Sequence, residues 1–230
     1  MDVLKHYKSK FFFIKDLLQR EDPVIVEIGA HYGEDSMRFM QVFKNISLHC
    51  FEPDPRNIKI FKKFINDERV KLHEIALSDS KGTAKFYQSY QEYKEDKIPE
   101  KYDWMTLEEY NKINLNNSGA SSLKKGYDYI LSRPIEVITD RFDTWYKENN
   151  MGQIDLAWID VQGSEREVIE GMAKEIRNIK YIWMEYGECF YEGAMNRRET
   201  LTLMKKMGFE EVKEHSDHTP QGDVLCKNMF

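Results

Sequence analysis

VIVEIGAHYGEDS (Val24–Ser36) runs a β-branched, almost continuous apolar stretch into two glycines and then into an acidic turn that opens a helix. Consecutive apolar residues mark a strand covered on both faces, as in a parallel sheet. A strand that ends in glycines and feeds a helix is the usual seat of a nucleotide. Here Gly29, Ala30, His31, Tyr32 and Gly33 give the spacing G-x-x-x-G. That is not the G-x-G-x-x-G that closes a backbone and a helix N-terminus on a pyrophosphate. The turn alone is also what a tight connection with close helix packing requires.

The same rhythm continues on both sides. Leu4, Tyr7, Phe11, Ile14, Leu17 and Leu18 fall at helical spacing, and Asp22-Pro23 stops that helix, so residues 1–22 are an N-terminal helix. Met37, Met40 and Phe43 continue the helix that starts at the glycine turn. SLHCFEP (Ser47–Pro53) is a second strand, Pro55 suits the first turn of the next helix, and VKLHEIAL (Val70–Leu77) is a third strand. TAKFYQ then alternates like a half-exposed strand, with Ile135–Ile138 as its partner and Asp140–Lys147 as a helix. Between them, residues 88–117 are polar and rich in Tyr, Lys and Glu, an inserted substrate-side segment rather than a spacer. IDLAWIDV (Ile154–Val161), a helix over Ser164–Ile176, YIWMEY (Tyr181–Tyr186) and a helix over Arg197–Met207 ending at Gly208 restore the alternation. FEEVKEH and DVLCKN close the chain.

This order predicts an α/β fold, Rossmann-like, in which a mostly parallel seven-stranded sheet carries an antiparallel C-terminal hairpin and an inserted segment after strand three. A dinucleotide fold would instead repeat its βαβ unit in the second half. One domain over 1–230 is expected.

With 230 residues, 41% hydrophobic and 13% aromatic, the chain can bury a sizeable core. Its net charge of −6 argues against a phosphate-backbone binder, so no nucleic-acid partner is expected. Cys50, Cys189 and Cys226 include no CxxC pair and read as reduced thiols of a cytoplasmic protein. FFFIKDLL (Phe11–Leu18) is too short and too charged for a signal peptide or a membrane span, which leaves the sequons at Asn45 and Asn116 idle.

Three features narrow the ligand. Glu52, at the end of the second strand, offers a carboxylate to the two hydroxyls of a ribose. Ala76-Leu77-Ser78, at the end of the third, is a small-residue turn able to present backbone to an adenine edge. The glycine turn ends the first, and all three therefore lie at carboxyl ends of consecutive strands, where open α/β sheets bind ligands. A cofactor with an adenosine and no second nucleotide fits: S-adenosylmethionine, with its methionine tail over Gly29–Gly33. Glu27 is either a buried carboxylate satisfied by neighbouring donors or a group that holds the turn or the cofactor's amino group.

In that order, VEIGAHYG, FEPDP, ALSDSKGTAKFY, GASSL (Gly119–Leu123), VITDRFDTW and IDLAWIDVQGSEREVIEGM resemble the FkbM-like S-adenosylmethionine-dependent O-methyltransferases. The resemblance runs from about Val24 to the C-terminus and is thinnest over 88–117. It implies a class I methyltransferase fold and methyl transfer to a hydroxyl, often of a sugar or secondary metabolite. The cofactor residues expected within these motifs are Glu27, Gly29, Ala30, His31, Gly33, Glu52, Pro53, Ala76, Leu77, Ser122 and Asp160. Many members carry a second acid in an Asp-x-Glu-Gly pattern; this chain has Gln162 there.

Asp160 and Glu185 end neighbouring strands and are the candidate catalytic carboxylates, as base, substrate holder or ligands of Mg²⁺. Without a metal, a base is needed, and His31, His215 and His218 are candidates. Tyr127, Tyr129, Tyr186, Phe190 and Tyr191 either stack on a sugar or form lid core. Ser164 is expected to cap a helix whose dipole Glu165 favours. The acceptor is then a small molecule or glycan. A catalytically silent cofactor- or glycan-binding domain is the alternative, and a nicotinamide oxidoreductase a poorer one.

Overall fold

The computed structural model describes residues 3–90, 98–113, 118–128, 130–215 and 220–230. His218, Tyr129 and Asn116 lie outside them, and His215 is described by its backbone alone.

The first half is α1 (Val3–Leu18), β1 (Val24–Ile28), α2 (Glu34–Val42), β2 (Ser47–Phe51), α3 (Pro55–Phe64) and β3 (Val70–His73). After it come β4 (Ala76–Ser78), β5 (Gly82–Ser89), α4 (Leu107–Ile113), β6 (Ser132–Arg141) and α5 (Phe142–Glu148). The second half is β7 (Ile154–Ile159), α6 (Glu165–Met172), β8 (Ile179–Gly187), α7 (Arg197–Lys206), β9 (Phe209–His215) and β10 (Gln221–Asn228).

Seven strands form one sheet in the order β3-β2-β1-β7-β8-β10-β9. All neighbours are parallel except β10, which runs antiparallel to both β8 and β9. The expected architecture is therefore present. The adjacent β1 and β7, each continued by a helix, put two strand-end turns side by side at the point where the strand order reverses, the place where open α/β sheets take ligands.

The pleat sorts side chains to two cores. Ile25, Leu156, Trp158 and Trp183 pack with Phe11, Ile14, Phe39 and Phe61 under α1–α3. Val26, Ile28, Ala157 and Ile159 pack with Phe142, Val168, Met172 and Met204 under α5–α7. On β1 the alternation places Glu27 in line with Ile25, so the acid is buried on the α1–α3 side.

Two sequence expectations change. VKLHEIAL is not one strand: β3 stays in the large sheet as an edge, and β4 leaves it to pair in parallel with β6 in a three-stranded sheet, order β4-β6-β5. The helix expected to reach Ile176 ends at Met172, because Ala173 takes φ 47 and a 3-10 turn follows over Ala173–Asn178.

From the inserted segment, Tyr102, Met105 and Tyr110 pack on Tyr32 of the glycine turn and on Ile60 and Phe64 of α3. Among the described residues no helix is long and apolar enough to cross a membrane. Cys50 and Cys226 are buried and Cys189 half-buried, all as free thiols.

Candidate functional site

A cavity of about 320 Å³ opens over the carboxyl ends of β1, β2 and β7. Of the residues read from sequence, Glu27, Gly29, Ala30, His31, Glu52, Pro53, Ala76, Leu77 and Asp160 line it together. They come from the ends of β1, β2 and β7, which the large sheet brings side by side, and from β4 of the three-stranded sheet.

The glycine turn is shaped by contact. Gly29 has φ 94, its amide and that of Ala30 both donate to the Phe51 carbonyl, and the Asp160 amide donates to the Ile28 carbonyl. A Cβ on Gly29 would stand 1.8 Å from the Asp160 carbonyl oxygen, so only glycine fits between β1 and the β7 turn. Gly33 serves packing instead: it caps α2 at φ 90, and a Cβ there would meet Ile65 at 2.2 Å. It does not line the cavity.

Glu52 is buried, with Oε2 accepting from the His31 amide at 2.8 Å and Oε1 from the Asp54 amide at 2.8 Å. Asn57 Nδ2 adds a weaker bond to Oε1 at 3.3 Å. Burial raises its carboxyl to a pKa of about 7, against the pull of His31 and the Asp54 amide. Glu27 accepts from the Ser36 hydroxyl and, at 3.4 Å, from the Cys50 thiol. Burial, and then the nearby charge of Asp35, push Glu27 well above the carboxylate range.

Asp160 and Glu185 are joined by the residue between them. Gln162 Nε2 donates to Asp160 Oδ1 at 2.5 Å and to Glu185 Oε2 at 3.1 Å, while Tyr191 OH lies 3.0 Å from its Oε1. Gln162 holds a left-handed φ of 56 to do so. Gln221 Nε2 donates to the other oxygen of Glu185 at 2.5 Å, and Glu185 does not line the cavity. Burial raises both acids, Glu185 well above its ordinary value with the charge of Asp160 adding to it. An amide donor aimed at both carboxylates is the opposite of what a cation needs, so the pair does not fit Mg²⁺. Among the described residues no group of three or more His, Cys, Asp or Glu side chains is placed to hold a metal.

His31 is committed on both sides. Its Nδ1 lies 2.9 Å from Glu34 Oε1 and its Nε2 2.9 Å from Ser118 Oγ, and the ring stacks on Tyr32 at 3.7 Å. Tyr102 OH donates to Glu34 Oε1 at 3.0 Å, and Lys101 reaches the same oxygen at 3.4 Å. Burial works to raise the Glu34 carboxyl, but His31 and Lys101 outweigh it and hold it well below the usual range. The network ties the inserted segment to the glycine turn.

Ser122 stands behind the cavity wall, its hydroxyl accepting from the Lys124 amide at 2.9 Å and lying 3.5 Å from Ser164 Oγ. The Ser164 side chain makes no cap bond to α6; the buried Glu165 carboxylate folds back on the turn before the helix, accepting from the Gly163 amide at 3.0 Å and the Val161 amide at 3.3 Å. Tyr186 and Tyr191 are buried, whereas Tyr127 is 40% exposed.

The cavity also takes in residues that sequence reasoning passed over: Lys10, Asp35, Lys101, Trp158, Trp183 and Asp223. Nothing local distinguished them.

Residues 27–211 match the family described as the methyltransferase FkbM domain. The chain is 34% identical over 218 residues to the 2-O-methyltransferase NoeI of Sinorhizobium fredii (strain NBRC 101917 / NGR234), covering 94% of this chain and 83% of that protein. Among solved structures it resembles a putative rRNA methylase from Clostridium thermocellum, with a TM-score of 0.53, 10% identity and coverage of 96% and 94%. It also resembles the Methanococcus jannaschii fibrillarin pre-rRNA processing protein, with a TM-score of 0.51, 11% identity and coverage of 90% and 67%. At those identities the two structures speak for the fold alone. The chain belongs to the FkbM methyltransferase family and is an S-adenosylmethionine-dependent O-methyltransferase.

Proposed function

We propose that the acceptor is a hydroxyl of a sugar, glycan or comparable small polyhydroxylated molecule, methylated beside Asp160. The observation that carries this reading is the position of Asp160. Its main chain packs on Gly29, its carboxylate lines the cavity, and Gln162 holds one carboxylate oxygen. Similarity to a protein named as a 2-O-methyltransferase supports a hydroxyl acceptor, and the acidic balance of the chain supports a small one over a phosphate backbone.

The residues present fit the cofactor. Gly29 leaves a bare backbone, the Glu52 carboxylate would offer acceptors to ribose hydroxyls, and Ala76 and Leu77, which line the cavity, would wall the adenine end. When bound, S-adenosylmethionine supplies an electrophilic methyl on a positively charged sulfur. The chain's own task is orientation and proton removal. An acceptor hydroxyl donating to Asp160 would be aligned by it and would pass its proton to that carboxylate, the methyl exchanging its bond to sulfur for one to the hydroxyl oxygen and S-adenosylhomocysteine being left as the thioether. The raised Asp160 carboxyl is a stronger base than an exposed one, once ionised. His31 already has partners on both ring nitrogens and serves to position the turn.

The test is Asp160→Asn, assayed with a panel of neutral sugars and oligosaccharides. Methyl transfer should fall by about 10²–10⁴-fold, with S-adenosylhomocysteine affinity within a few-fold of wild type. Retained turnover removes Asp160 from the chemistry, and no turnover of any panel member by the wild type removes the acceptor class.

A further inference from the structure

Below Gly29 and Asp160 the cavity continues down the sheet face covered by α1 and α2. Glu27, Trp158 and Trp183 stand there in register on β1, β7 and β8, and all three line the cavity. Lys10 from α1, Asp35 from the first turn of α2 and Asp223 from β10 close this wing. Lys10 Nζ donates to Asp223 Oδ2 at 2.5 Å and sits 5.4 Å from the Trp183 ring centroid. The Trp158 indole donates to Asp35 Oδ2 at 2.9 Å. Although burial works against the Lys10 ammonium, Asp223, Asp35 and Asp160 together keep it charged.

The wing thus presents an ammonium and carboxylates of opposite sign within one recess. That is the complement of a zwitterion. If the adenosine lies over Glu52, as proposed above and on which this step rests, the remaining end of the cofactor is an α-amino acid with one carboxylate and one ammonium. We infer that Lys10 holds the cofactor's carboxylate and Asp35 faces its ammonium. An ammonium that donates once to Asp223 keeps two further N–H groups for a ligand. Lys101, the other lysine of the lining, is drawn to Glu34 and lies over the Tyr102 ring, with its side chain 45% exposed. Lys10 and Asp223 both fall outside residues 27–211, the part of the chain that matches the family.

Titration calorimetry with two ligands tests this: S-adenosylhomocysteine, and 5′-methylthioadenosine, which keeps the nucleoside and sulfur but has no amino-acid end. Lys10→Met should weaken S-adenosylhomocysteine about 10–100-fold, the worth of a hydrogen bond between charged groups, and leave 5′-methylthioadenosine within twofold. Lys10→Arg should recover most of the loss. Equal weakening of both ligands would mean that Lys10 acts through folding, and weakening of neither would mean that the amino-acid end lies elsewhere. Either result overturns the assignment, as does a selective loss in Lys101→Met that Lys10→Met fails to show. If the wild type binds neither ligand, the adenosine placement itself fails, and the assignment falls with it.

Discussion

The main-chain carbonyl of Asp160 fills the space that a side chain on Gly29 would occupy, 1.8 Å from the position of its Cβ. Gly29→Ala must therefore part β1 from the β7 turn and also hold alanine at φ 94. The left-handed backbone alone costs about 1–2 kcal/mol, and with the displaced strand the loss should reach about 3 kcal/mol. For a chain of this size that lowers the melting temperature by roughly 10 °C. A melt within a degree of wild type would show that the turn is not pinned by this contact.

Glu52 makes cofactor binding depend on pH. Burial keeps its carboxyl near pKa 7, so below neutrality it is mostly protonated. Ribose hydroxyls donate to the ionised form, and S-adenosylhomocysteine should bind more tightly as pH rises from 6 to 8, by up to about tenfold per unit below the midpoint. Glu52→Gln should bind more weakly and show no such slope. Equal slopes in the two proteins would detach the titration from Glu52.

The unliganded fold responds in the opposite sense. Glu52 and the buried Glu165, also near 7, take up protons in the folded chain that an unfolded chain has released above its ordinary value of 4.5. Their contribution to stability is complete below about pH 4.5 and is lost as pH rises through 7. Glu165→Gln should flatten part of the fall in melting temperature between pH 5 and 8. An unchanged profile would mean that Glu165 is already ionised in the fold.

Gln162 keeps two acids apart by donating to both. Gln162→Glu replaces the donor with a third carboxylate and should cost about 2 kcal/mol near neutrality, with much of the loss recovered at pH 5 as the cluster takes up protons. Because the wild-type arrangement favours an amide over a cation, EDTA should leave its methyl transfer unchanged. Activity lost to EDTA and restored by Mg²⁺ would reverse that conclusion.

Tyr102 ties the inserted segment to the glycine turn through Glu34. Tyr102→Phe removes one donor from a carboxylate that keeps His31 and Lys101, at a cost of about 1 kcal/mol. Amide exchange over residues 98–113 should quicken about fivefold while β1 and β7 hold. Uniform quickening would point to global destabilisation instead.

The strands and their order were legible because each is a contiguous run whose pattern is written locally. VIVEIG and IDLAWID are buried on both faces and read so, and the lack of a crossover helix between FEEVKEH and DVLCKN forecasts the antiparallel ending. The point where VKLHEIAL divides was not legible. Ala76–Ser78 leaves the sheet because β6, distant in sequence, offers it a partner. Ser164 is a fair cap by composition, yet its side chain makes no cap bond, and the buried Glu165 beside it turns back to the Gly163 amide.

The sequence by itself determined the α/β order, the glycine turn and the acids at the strand ends, since a strand end is defined by neighbours in the chain. Only the tertiary structure decided what those acids face. Gln162 became a bridge because β7 and β8 lie side by side, His31 became a latch because Ser118, far along the chain, meets its ring, and Lys10 reached the cavity because α1 packs across the sheet. Each of these depends on the distance between residues far apart along the chain, which the close-packed core sets and no local pattern encodes.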